Sequence, residues 1–351
     1  MKTEIGPDGI ARPIERSPWR KLGIFWVVVF LVVAGGVEVL QILGPPGREV
    51  PEPPPKPEIG PMTEPVELPK LPTAEGRGIG DVIPDPEPAM LIAAPHAQGA
   101  ILPKIRQDGR KPMQAYAAGF DRADRNPRVA VMLAGIGLSA PDDDEAKKLA
   151  PMVSFAISPY AVNTSQAARA ARIAAHEVFV GVPMEPQGYP LNDPGPMALL
   201  TGAPPAVNAL KLEQALGLAG GYVGITNTIG SMRGERYSAS QGINDVLQEA
   251  VRRGLLFIDA RPGAKVASLP GLVSRSVDIL LDVPPVGHEI DVQLGKLVDL
   301  AKARGSAIGL AGAPYPVTVA RLAEWVNSLP GKGVVLVPVS ALLLQPGTKP
   351  P

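Results

Sequence analysis

Five residues of this 351-residue chain combine a functional side chain with a place at or just past the end of an apolar run: Glu185 in PMEP, Asn227 in ITNT, Asp259 and Arg261 in IDARPG, and Asp282 in LLDV. A Glu and an Asp can divide acid and base work when their carboxyl groups stand about 5–9 Å apart. Glu185 and Asp259 are therefore the candidate catalytic residues. A second reading of the same acids stays open. Asp259 lies two residues before Arg261 and can pair with it as a loop brace, while Glu185 can accept backbone N–H bonds that hold its own turn. Tyr160, Tyr189 and Tyr315 also follow apolar runs; their rings either stack on sugars or pack. Ser139, Ser158 and Ser231 have no neighbouring histidine to serve as base, which disfavours a serine nucleophile.

Metal and cofactor chemistry finds little to work with. There is no cysteine, and the histidines are His96, His176 and His288. A metal needs several convergent His, Asp or Glu ligands, and these three are scattered. His176 precedes an apolar run and reads as a structural hydrogen-bonding residue; His96 reads as a loop residue without a partner. We expect no metal and no cofactor. The formal net charge is zero, which argues against nucleic acid as a partner, because phosphate binding needs clustered Lys and Arg.

The elements that must position these residues follow from a regular rhythm. Short apolar runs occur at Val129 to Leu133, Val153 to Ile157, Val178 to Val182, Tyr222 to Ile225, Leu255 to Ile258, Ile279 to Leu281, Ala307 to Leu310 and Val334 to Val337. Amphipathic patterns alternate with most of them: Asn163 to Ala174, Ala206 to Leu218, Ser238 to Arg253 ahead of Gly254, Glu289 to Arg304 ahead of Gly305, and Val317 to Leu329. Strands alternating with helices predict an α/β fold with a parallel sheet. The size fits a distorted β/α barrel of seven to eight strands, with an open doubly wound sheet as the alternative. In a barrel the loops after the strands carry the site. The loop after the first run, Ala134 to Gly137, holds no acid, base or nucleophile, and its AGIG turn is a weak phosphate signal without a GxGxxG pattern.

The first third has a different character. Residues 1–21 are polar, with Arg12, Arg16, Arg20 and Lys21 ahead of the apolar segment 22–43. That segment spans a bilayer if Glu38 sits at the far interface, and the flanking basic residues predict a cytoplasmic N-terminus. We expect a single-pass inner-membrane signal-anchor, with the rest of the chain periplasmic; a cleaved signal peptide is the alternative. Residues 44–88 are rich in proline, the signature of a disordered, semi-extended tether. Residues 89–126 read as an extended arm on the domain at 127–345, and 346–351 as a tail.

The domain carries a resemblance. RVAVMLAGIGLS, SFAISPYA, AAHEVFVGVPMEPQGYPLNDPGP, GGYVGITNTIGS, RRGLLFIDARPG, GSAIGLAGAPYPVT and VVLVPVSALL together resemble the divergent polysaccharide deacetylase family, within the NodB-like carbohydrate esterases. The resemblance implies a distorted barrel and a family chemistry in which an Asp/His metal site hydrolyses N-acetyl groups on glycans. It also implies that this chain lacks the ligands. The family's paired aspartates match Ala134 and Gly135, and its histidines match Gly181, Thr228 and Ala313. What remains near the strand ends is Tyr160, Glu185, Asn227, Asp259, Arg261, Asp282 and Tyr315, taken as the ligand-binding set. The expectation is an envelope protein that binds glycan or a protein partner through a barrel without the family's catalytic equipment. An active hydrolase rebuilt from carboxylates and a structural envelope component are the alternatives, the latter if the barrel mouth is shallow or residues 89–127 cover it.

Overall fold

The computed structural model describes residues 3–5, 11–13, 26–27 and 77–344. The chain falls into two units, Met1–Glu67 and Leu68–Pro351. The first contains an antiparallel pair, β1 (Thr3–Ile5) with β2 (Ala11–Pro13). The anchor expected at 22–43 lies outside the described residues apart from Trp26 and Val27, as does the tether up to residue 76. Among the described residues, no helix is long and apolar enough to cross a membrane.

In the second unit a short antiparallel hairpin, β3 (Leu91–Ala93) with β4 (Ile101–Pro103), precedes a curled parallel sheet. Its strands are β5 (Arg128–Ile136), β6 (Ser154–Ile157), β7 (Val178–Gly181), β8 (Gly224–Thr226), β9 (Leu256–Asp259), β10 (Val273–Ser276), β11 (Ile279–Leu280), β12 (Ser306–Ala311) and β13 (Val335–Leu336). They run in the order β10-β9-β8-β7-β6-β5-β12-β11, with β13 paired to the start of β5. The two ends of this path are consecutive in the chain. Val277 N donates to Asp259 O (2.9 Å) and Asp278 N to Ile308 O (2.8 Å). One continuous stretch thus changes partner from β9 to β12, and the sheet returns on itself as a distorted β/α barrel. All eight apolar runs form strands. β10, of sequence VSRS, is the addition: its polar residues are only half-buried, so it shows no apolar run.

Every residue of β5 after Arg128 is buried, as expected of a parallel strand covered on both faces. Its residues alternate between two cores. Val129, Val131 and Leu133 pack with helix residues such as Leu294, Leu297 and Leu322, while Ala130, Met132 and Ala134 face the barrel interior with Phe179, Ile258 and Leu310. The helices α1 (Pro112–Ala115), α2 (Ala140–Ala146), α3 (Thr164–Ile173) and α4 (Pro205–Gly217) come first in this unit, and the helices follow from their signals. The helix Thr164–Ile173 starts where the Asn163 side chain accepts from Gln166 N (2.9 Å). The helix predicted from Ser238 to Arg253 is instead two, α5 (Glu235–Ser238) and α6 (Ile243–Arg253). Ser240 explains the break: its Oγ donates to Tyr237 O (2.7 Å) and accepts from Gly242 N (3.2 Å), local bonds that compete with the helix. α6 ends at Gly254 in the left-handed region (φ 65°).

The arm closes the barrel at the N-terminal ends of the strands. Met90, Met113 and Ala115 to Ala118 join the interior core together with Val339, Leu343 and Leu344 from the end of the domain. Met113 N donates to Gly254 O (3.1 Å), just ahead of β9. The arm is also longer than its sequence suggests. Packing begins inside the stretch read as tether: Arg77 Nη2 donates to Ala115 O (3.1 Å), Ile83 N donates to Arg172 O (3.1 Å), and Ile83 is buried in the interior core.

Candidate functional site

Three of the expected residues meet at the C-terminal ends of β8 and β9. Asp259 Oδ2 accepts from Arg261 Nη2 (2.6 Å) and its Oδ1 from Arg261 Nε (3.0 Å), from the Arg261 backbone N–H (3.0 Å) and from Asn227 Nδ2 (3.0 Å). Asn227 in turn donates to Ser238 Oγ (2.8 Å) and accepts from Ala260 N (2.7 Å). Asp259 and Asn227 are buried, and hydrogen bonding to the carboxylate raises the Arg261 pKa. This is the loop-brace alternative of the sequence reading. Both oxygens of Asp259 already have donors, so no lone pair is held out toward a substrate.

The other two acids stand apart from this cluster and from each other. Glu185 is buried: its Oε2 accepts from Thr201 N (2.6 Å) and Thr201 Oγ1 (2.7 Å), and its Oε1 pairs with Arg236 Nε (3.1 Å). Its backbone carbonyl also receives Arg236 N and Tyr237 N, so Glu185 ties the loop after β7 to α5. Asp282, also buried, accepts from Gly312 N at 2.8 and 3.0 Å through its two oxygens. Burial raises its pKa, and the Gly312 and Ala313 N–H groups work against that rise. No hydrogen bond links any two of the three carboxylates.

The tyrosines divide. Tyr160 OH accepts from Met197 N (3.1 Å) and its ring packs against Gly195 of the DPGP turn, so it is a packing residue. Tyr189 is half-buried and joined to Pro190 by a cis peptide bond. Tyr315 is 44% exposed at the start of the helix Pro316–Ser328. It joins Leu138, Val162, Leu191, Val283 and Val286 as large exposed apolar side chains on the loops that follow the strands.

At the positions the resemblance assigns to metal ligands, main chain fills the space. A Cβ added to Gly181 would stand 2.4 Å from Thr228 O, closer than real Cβ atoms come. Gly135 adopts φ 72°, and a Cβ there would stand 3.2 Å from Gly312 O. Thr228 Oγ1 lies 3.0 Å from the carbonyl oxygens of both Gly230 and Met232, so its hydroxyl is used locally. The loops after β5, β8 and β12 thus touch one another across the middle of the mouth. Ala134, Gly135, Gly181 and Ala313 bring no donor atom, and the residues present do not fit the family's metal. Among the described residues, no cluster of three or more His, Asp or Glu could hold one.

Two partnerships were not legible beforehand. His96, read as unpartnered, has Nδ1 2.8 Å from Glu213 Oε1, and Glu213 Oε2 accepts from His96 N (2.7 Å) and Ala97 N (2.9 Å). Glu177 carries no functional signal in the sequence. It is fully buried at the closed end, and its carboxyl accepts from Ser154 Oγ (2.6 Å), Ser340 N (3.0 Å) and Ser340 Oγ (2.5 Å), with Ala118 N at 3.4 Å. His176 is structural, as expected. It is buried and stacked on Phe155, with ring centroids 4.0 Å apart, and Nδ1 is 2.8 Å from Val153 O.

Fold and site together define a parallel β/α barrel whose closed end is plugged by its own arm and whose mouth is capped by touching loops. The family model for divergent polysaccharide deacetylases matches residues 131–343, and the chain belongs to that family. It is similar to an uncharacterized protein from Agrobacterium tumefaciens C58, known from a crystal structure, with 32% sequence identity over 69% of this chain and 99% of that one and a TM-score of 0.63. No curated protein matches the chain.

Proposed function

We propose that this chain is an inner-membrane-anchored envelope protein whose deacetylase-like domain, on the periplasmic side, binds envelope glycan or an envelope protein instead of hydrolysing N-acetyl groups. The observation that carries the reading is the close approach of Gly181 to Thr228 O. A metal-bound water becomes a nucleophile near neutral pH because the metal lowers its pKa to about 7, and the loops here leave neither ligands nor space for that device. The carboxylates give the rebuilt-hydrolase alternative little support, since Glu185, Asp259 and Asp282 each hold a separate loop. The arm packs at the closed end and not over the mouth, which removes one of the two grounds for a purely structural role. Anchoring rests on the apolar segment 22–43 and its basic flank.

The test uses the full chain in detergent: divalent metal by elemental analysis, acetate release from N-acetylated glycan, and retention on glycan beads. Expected are no stoichiometric metal, no acetate, and retention on glycan or on a co-purifying envelope protein. Stoichiometric metal that disappears in Asp259→Ala or Glu185→Ala would sink the proposal.

A further inference from the structure

A cavity of about 390 Å³ opens beside the Asp259–Arg261 pair, between the C-terminal end of β9 and the start of α6. Its wall has two characters. Phe257 and Val266 give it an apolar side, while Gln241, Asn244, Lys265 and Arg261 bring amide and cationic groups. Gln241, Asn244 and Lys265 make no side-chain hydrogen bond or ion pair among the described residues. Gln241 and Lys265 are exposed and Asn244 is half-buried, so all three are solvated and free to turn toward a ligand in the cavity. Asp259 also lines the cavity, but its charge is matched by Arg261, whose Nε and Nη2 it occupies. The lining therefore has a net positive charge from Lys265, with the Nη1 edge of Arg261 left over.

We propose that this cavity is a subsite for a carboxylate-bearing sugar, a uronate residue within an acidic glycan. The apolar side suits a sugar ring, the two amides suit its hydroxyls, and Lys265 with the Arg261 edge suits the carboxylate. The inference rests on the glycan half of the binding reading. It adds the chemical class of the glycan and a location away from the mouth centre, where the family's metal would sit.

Isothermal titration of the full chain tests it with three probes: a galacturonate tetrasaccharide, an N-acetylglucosamine tetrasaccharide and inorganic phosphate. The galacturonate oligomer is expected to bind most tightly. Lys265→Gln is expected to weaken it by about tenfold, the size of one charge-assisted contact, and Lys302→Gln, on the helix Gly287–Arg304 away from the cavity, to leave it unchanged. Lys265 has no hydrogen-bond or ion-pair partner among the described residues, so its variant keeps the fold, and circular dichroism checks this. Galacturonate binding that ignores Lys265→Gln overturns the proposal, as does phosphate binding as tightly as galacturonate. If the neutral oligomer binds and the acidic one does not, this inference falls while the glycan reading stands. If neither oligomer binds, both fall and the protein-partner reading remains.

Discussion

The α-carbon of Gly181 faces the carbonyl of Thr228 so closely that even one methyl group on it would stand 2.4 Å from that oxygen. Gly181 ends β7, and Thr228 lies two residues past the end of the neighbouring β8, whose register pairs Gly181 with Thr226. The contact is between main chains, so no rotamer change can relieve it. Gly181→Ala is therefore expected to lower stability by about 1–3 kcal/mol, the usual cost of forcing extra volume into a packed site. A urea titration would show a lower midpoint with an unchanged slope. An unchanged midpoint would mean that the loop after β8 yields freely and that the mouth has room the structure does not show.

Asp282 and Glu185 act as staples for loops, which separates them from catalytic acids by their mutational signature. Asp282→Ala would leave the buried Gly312 N–H without its acceptor, at a cost of about 1–3 kcal/mol. Glu185→Ala would release Thr201 and Arg236 together. Both variants should lose thermal stability, and hydrogen exchange should quicken at the Gly312 amide in the first and the Thr201 amide in the second. Full stability in both would return these acids to the pool of candidate reactive groups.

What the sequence reveals depends on how far apart the partners lie. Asp259 and Arg261 are two residues apart, so their ion pair was legible as one of two readings of the loop. Glu185 finds Thr201 at 16 positions and Arg236 on α5, while His96 reaches Glu213 across 117; no local pattern links them. β5 and β12 announce themselves because both faces of each strand are buried. β10 does not, because its role is to close the ring and its side chains remain half-exposed. The replaced ligand positions were visible as residue types through the family resemblance, but the close approach of main chain to Gly181 and Gly135 is a fact of packing.

Glu177 gives a pH signature with a definite sign. Burial raises its pKa above the ordinary value of 4.5, although hydrogen bonds from Ser154, Ser340 and Ala118 pull the other way. A raised folded-state pKa means that the stability linked to this group is fully present below about pH 4.5 and is lost as pH rises through the folded value. Unfolding free energies measured from pH 5 to pH 8 should therefore fall for the native chain relative to Glu177→Gln. Taking the difference between the two proteins removes the opposite trend of His176. Burial lowers the pKa of that ring, so its contribution is present above about pH 6.5 and is lost on acidification. A difference that is flat with pH would mean that Glu177 is solvated and the closed end is open to water.

The arm makes the strongest claim about what counts as the domain. Residues 89–126 read in the sequence as an extended arm on the domain, and the family match starts only at residue 131. Yet Met90, Met113 and Tyr116 are almost fully buried and share the barrel interior with Met132, Phe179 and Ile258. Removing them would expose the inner faces of β5, β7 and β9 at the end that Glu177 helps to seal. Burial of one large apolar side chain is worth about 1.5–3 kcal/mol, so loss of three such groups removes about 4.5–9 kcal/mol, a large share of the roughly 5–15 kcal/mol a whole domain has in hand. A chain beginning at residue 127 is expected to be insoluble or molten, with a broad thermal transition and strong dye binding, whereas one beginning at 77 should unfold cooperatively. A soluble, cooperatively unfolding chain from 127 would show that the barrel interior is complete without the arm.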